Sequence, residues 1–246
     1  MLRRLFGGRN DKARVKYAAG TDVEVAPVLY AEEIEAHFDR IFPGRTTSVF
    51  HEIVSDIVHI DVHFMEPTDE DPVRVLHTTG MSDLPMTIPA ALKKERQSLE
   101  RAELVIILPG SWPIDSGALE DERHYWPVRL LKQLARYPHE YHSWLGHGHT
   151  VQNSDGEPYA EDIKFNGAVL SALKGEIGLI PTRDRSLINV YGVVPLYQEE
   201  MDFKRQFGIE PLFEKLSEVE EGMFLVNPSR KNVCANGTET GRHPDL

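Results

Sequence analysis

His77-Thr78-Thr79-Gly80-Met81-Ser82-Asp83-Leu84-Pro85-Met86-Thr87-Ile88-Pro89 leaves an apolar run, Val73-Arg74-Val75-Leu76, that reads as a strand. Gly80 can take a positive φ or admit a second backbone closely. Ser82 and Asp83 can bond to neighbouring amides and hold a turn. Pro85 and Pro89 push Leu84 and Ile88 towards extended geometry. Met81, Leu84, Met86 and Ile88 are apolar, in a segment too punctuated for a helix. The plain reading is a strand, a tight turn and a core-packing loop; the functional one is a recognition loop.

Upstream, Val58-His59-Ile60-Asp61-Val62-His63-Phe64 alternates, placing Val58, Ile60, Val62 and Phe64 on one face and His59, Asp61 and His63 on the other. With the acidic turn from Pro67 to Pro72, it forms a hairpin with Val73–Thr79. Glu32–Phe42 reads as a helix with Ile34, Phe38 and Ile41 on one face, stopped by Pro43-Gly44, and Val49–Ile53 as a strand. Residues 90–101 are rich in helix formers. Leu104–Leu108 is a buried central strand; Asp121, Glu122 and Pro127 prepare a helix start, and the helix closes at Pro138. A polar loop follows Val151. Phe165–Leu173, Leu187–Val194 and Met223–Val226 read as strands, and Gln198–Phe207 and Glu210–Lys215 as helical pieces. Strands and helices mix without regular βαβ alternation, so the expected fold is α+β: one domain over 27–234, its central sheet mixed and mostly antiparallel, flanked by helices.

At 246 residues and 41% hydrophobic, the chain can bury a substantial core. No run approaches the ~18 apolar residues of a membrane span. The net charge of −12 disfavours nucleic acid as a partner. Basic residues gather in Arg3, Arg4, Arg9, Lys12, Arg14 and Lys16, so a loose basic start over 1–20 is expected, and a loose polar tail over 235–246. A single cysteine, Cys234, excludes an intrachain disulfide and fits the cytoplasm.

The familiar catalytic patterns are missing. Ser171-Ala172-Leu173-Lys174 matches Ser-x-x-Lys without its Lys-Thr-Gly companion, and no Gly-x-Ser-x-Gly elbow or phosphate loop occurs. One enzymatic alternative survives: a metal-dependent hydrolase in which His59, Asp61 and His63 converge with His147 and His149. Against it, residues two apart on a strand lie almost 7 Å apart. Recognition is the first reading, by addition of an extended peptide as a strand in a groove lined by the pre-proline segment and the aromatic stretch Trp126–Trp144. No cofactor is implied.

Gly80-Met81-Ser82-Asp83, Trp126-Pro127 leading into Leu134-Ala135-Arg136-Tyr137, Gly146-His147-Gly148-His149-Thr150-Val151 and Tyr191-Gly192-Val193-Val194-Pro195 through Met201 resemble, in order and spacing, the suppressor-of-fused domain. The resemblance covers about residues 28–234 and is closer to the compact bacterial branch, down to Arg230-Lys231-Asn232-Val233-Cys234. It implies a non-enzymatic binding protein. Animal members hold Gli transcription factors in the cytoplasm by clasping a peptide as an added strand; bacterial members are associated with toxin-immunity loci. The partner expected here is therefore a protein, a toxin or a peptide segment, with Met81, Ser82 and Asp83 at the centre of the contact and His147, His149 and Asn153 as further candidates.

Overall fold

The computed structural model describes residues 29–51, 57–220 and 222–235, with the backbone of 14–16 and 22–24. The expectations for 1–20 and 235–246 fall almost wholly outside them. In chain order the elements are β1 (Arg14–Lys16), β2 (Asp22–Glu24), α1 (Ala31–Ile41), β3 (Thr47–Phe50), β4 (Asp61–Met65), β5 (Val73–Thr79), α2 (Arg96–Leu99), β6 (Ala102–Pro109), α3 (Glu122–Glu140), β7 (Thr150–Gln152), β8 (Gly167–Ala172), β9 (Leu179–Pro181), β10 (Leu187–Leu196), α4 (Gln198–Phe207) and α5 (Ile209–Ser217). β1 and β2 pair with each other.

Eight strands form one sheet in the order β3-β4-β5-β6-β10-β8-β7, with β9 on the first residues of β10. Only β6 and β10 run parallel; every other pair is antiparallel. The sheet is mixed and mostly antiparallel, and the fold is α+β, as expected. Among the described residues no helix is long and apolar enough to cross a membrane.

The helices cover both faces. Val62 and Phe64 of β4 and Leu104 and Ile106 of β6 pack against Trp126, Leu131 and Leu134 of α3. Met65, Val75 and Val105 pack on the opposite face against Ile34 and Phe38 of α1. α4 and α5 close a third cluster with Met201, Leu212 and Leu216. Each such large side chain contributes about 1.5–3 kcal/mol on burial.

The differences from the sequence reading have physical reasons. α3 begins five residues before Pro127, because the Asp121 carboxylate accepts the Arg123 amide at 2.9 Å and caps the helix. Pro127 and Pro138 then lie inside it, each forgoing one backbone bond. Residues 90–101 yield only a single 3₁₀ turn and the four-residue α2, since the Glu100 carbonyl accepts the Met86 amide at 2.7 Å and turns the chain into β6. Met223–Val226 makes one bridge, Leu225 to Ile107, rather than a strand. It fills the fork where β10 parts from β6, with Phe224 against Gly192, whose missing side chain leaves the room. β7, in a stretch given no element from sequence, is the sheet's last strand.

Candidate functional site

The turn after β5 is a buried junction. Gly80 has φ +104°, and a Cβ there would lie 1.8 Å from the His59 carbonyl oxygen. Met81 and Ser82 are fully buried. The Ser82 hydroxyl and amide donate to Glu103 Oε1 at 2.6 and 2.9 Å, and the Thr78 hydroxyl donates to Oε2 at 2.6 Å while accepting from the Leu104 amide. Arg101 donates to the Ser82 and Asp83 carbonyls, and His139 Nε2 donates to the Met81 carbonyl at 3.0 Å. The partly exposed Asp83 carboxylate accepts the Leu29 amide at 3.0 Å on both oxygens, tying down the entry to α1. Burial raises its pKa against the pull of the Leu29 and Tyr30 amides.

Glu103 itself escaped sequence reading. It is fully buried with no ion-pair partner among the described residues, and burial pushes its pKa up to about 7 despite three hydrogen bonds. The signal was available: one carboxylate in the apolar run Ala102–Leu108.

The histidines do not assemble. Asp61 lies between His51 Nδ1 and His59 Nε2, each at 2.9 Å. His63, expected on a half-exposed face, is buried: it pairs with Thr79 Oγ1 at 3.1 Å and stacks on His77, which stacks on Phe38 of α1. Burial lowers the pKa of His63 to about 4 and that of His77 well below 6.5, keeping both neutral. His147 is exposed and accepts the Ala172 amide at 3.0 Å; His149 meets Trp144 edge-on. β4 and the start of β7 are five inter-strand steps apart in the sheet, about 24 Å. Among the described residues no group of three or more His, Cys, Asp or Glu side chains is arranged to hold a metal ion. The hydrolase alternative loses its geometry.

What remains open is the edge of the sheet. The Asn153 amide donates to the Asn166 carbonyl at 2.8 Å and the Leu170 amide to the His149 carbonyl at 3.0 Å. By antiparallel alternation, Thr150 and Gln152 therefore turn their N–H and C=O groups outward, away from β8. Beside this edge a groove of about 280 Å³ runs between α3 and β7, lined by Leu134, Tyr137, Tyr141, Val151, Asn153 and Tyr159. Tyr141 is 66% exposed and its ring lies 4.8 Å from that of Tyr137. The groove unites Asn153 with the aromatic stretch singled out in the sequence.

Polar clusters engaged in internal hydrogen bonding, together with a sheet edge that is unpaired among the described residues and lies beside an aromatic groove, characterise this mixed-sheet α+β module. The family model for suppressor of fused protein (SUFU) matches residues 56–231, and the chain belongs to that family. A SUFU homologue from Neisseria gonorrhoeae aligns with 83% of this chain and 96% of its own at 18% identity and a TM-score of 0.59. A chain of the Sufu–Fu complex aligns over 90% of this chain and 100% of its own, at 14% identity and a TM-score of 0.62. Drosophila Suppressor of Fused aligns over 84% of this chain and 51% of its own, at 14% identity and a TM-score of 0.57. No curated protein matches the chain.

Proposed function

We propose that this protein is a non-enzymatic cytoplasmic module that holds an extended segment of a protein partner, and that it serves as an immunity protein neutralising a toxin in that way. The observation that carries the binding mode is the outward-facing backbone of Thr150 and Gln152 beside the Tyr137–Tyr141 groove. Strand addition supplies main-chain bonds and the groove supplies selectivity. A family relative in a Sufu–Fu complex supports a protein partner. The immunity role rests on the likeness to the bacterial branch.

The residues named from sequence take different parts in this reading. Asn153 lines the groove directly. His147 and His149 shape the approach to β7. Met81 and Ser82 act from beneath the surface by fixing the turn, and Asp83 is the member of that turn open to a partner.

The test is capture of the partner by purified protein from its native lysate. Thr150→Pro removes an outward N–H without breaking the bond ladder to β8, and should abolish capture while the fold persists. Asp83→Ala should weaken capture with little change in thermal midpoint, since at this partly exposed site water competes for the carboxylate that accepts the Leu29 amide. Capture that survives Thr150→Pro undiminished would remove β7 as the contact; a large loss of stability in Asp83→Ala would assign that residue to the scaffold.

A further inference from the structure

The opposite edge of the sheet carries a second groove with a different charge around it. The Glu66 amide donates to the Thr46 carbonyl at 2.8 Å, which sets the alternation of the β3–β4 ladder. Ser48 and Phe50 face β4 with their backbone groups, and Thr47 and Val49 turn theirs outward. Along this edge lies a groove of about 380 Å³. Phe64 forms its floor, and Phe50, Ile114 and Leu119 its apolar walls.

The rim of this groove is acidic. Glu120 lines it, Asp115 sits in the same wall, and the β4–β5 turn at the Thr47 end carries exposed Asp69 and Glu70. None of these four makes an ion pair among the described residues; Asp115 uses one oxygen to accept the Gly117 and Ala118 amides. Among the described residues Lys132 lies beside the groove, over the Phe50 ring at 5.2 Å, and Arg45 at the Thr47 end is already paired with Asp71. A second copy of this chain would bring the same acids against these, at a cost in like-charge repulsion. The outward ladder groups of Thr47 and Val49, unpaired among the described residues, the apolar groove and the acidic rim share one complement: an extended segment with alternating apolar and basic side chains. We propose that β3 binds such a basic peptide segment as an added strand, with an apolar side chain on Phe64. The surface is separate from the β7 groove, so either site can hold if the other fails.

The probe is a labelled seven-residue peptide alternating lysine and valine, titrated against the full chain by fluorescence anisotropy, with a glutamate–valine peptide as control. Backbone amide shifts would be followed by NMR. We expect the basic peptide to bind, the acidic one not to, and the shifts to centre on Thr47 and Val49. Val49→Pro removes only an outward N–H and should weaken binding at least tenfold with an unchanged unfolding midpoint. Glu120→Lys should weaken it several-fold, and added salt should do the same because the rim is solvent-exposed. Equal binding of both peptides, or binding indifferent to Val49→Pro, would overturn the proposal. A wild-type dimer that Val49→Pro converts to monomer would also overturn it, by giving the edge to a second copy.

Discussion

Replacing Glu103 by glutamine should reshape the pH dependence of stability. The carboxyl is fully buried and accepts hydrogen bonds from Thr78 and Ser82, with no cation paired to it among the described residues. Its folded pKa of about 7 lies above the ordinary 4.5, so folding favours the protonated form. The stability attached to that proton is complete below pH 4.5 and is lost as pH rises through 7. At about 1.4 kcal/mol per unit, the difference amounts to roughly 3 kcal/mol. His63 acts in the opposite sense: its pKa is lowered to about 4, so its contribution is complete above 6.5 and is lost as pH falls through 4. The wild-type curve therefore contains both slopes, and only the difference from Glu103→Gln isolates the carboxyl. The glutamine can still accept from Ser82 through Oε1 and donate to Thr78 Oγ1 through Nε2. Urea unfolding followed by the fluorescence of buried Trp126 between pH 4.5 and 8.5 measures the difference directly. The variant should gain on the wild type by roughly 3 kcal/mol across that range. A constant offset at every pH would refute the assignment of a proton to Glu103.

Two further substitutions test the scaffold. Arg230 holds Glu200 through both oxygens at 2.5 and 2.6 Å, and Glu200 is completely buried. Arg230→Ala strands that charge and should cost about 3–5 kcal/mol in chemical denaturation, with Arg230→Lys losing less because it keeps one bond. Gly80→Ala combines a positive φ with a Cβ driven into the His59 carbonyl, and should cost about 3 kcal/mol or more by the same assay.

The segments legible in the sequence were those whose signal is local. The β4–β5 hairpin, the apolar run of β6, β10 and α4 appear where alternation, apolar length and helix spacing put them. Alternation states which residues share a face, not what covers it. His59, Asp61 and His63 looked like a solvent face, yet α1 packs over His63 through Phe38 and His77, and that packing depends on residues far apart in sequence. Asp121, Glu122 and Pro127 together marked a helix start, and of these the side-chain cap at Asp121 sets it. The candidate groove was half legible. Asn153 and the aromatics of α3 could each be named, but their meeting depends on where β7 joins the sheet, and three residues of strand carry too little periodicity to show it.

Both edges, unpaired among the described residues, are short, and their length determines where specificity must reside. β3 and β7 each expose the outward groups of two residues, so an added strand gains at most four main-chain hydrogen bonds at either end. At about 0.5–1.5 kcal/mol net apiece, these only partly offset the loss of freedom on association. Short edges also protect the protein from indiscriminate sheet-to-sheet pairing. Useful affinity must therefore come from side chains entering the adjoining grooves, and the two grooves differ in kind. The β7 groove offers tyrosine faces and the Asn153 amide; the β3 groove offers an apolar floor inside an acidic rim. On the two proposals, a single sheet would offer two edges of the same backbone chemistry and different side-chain selectivity, and substitutions in one groove should leave binding at the other unchanged.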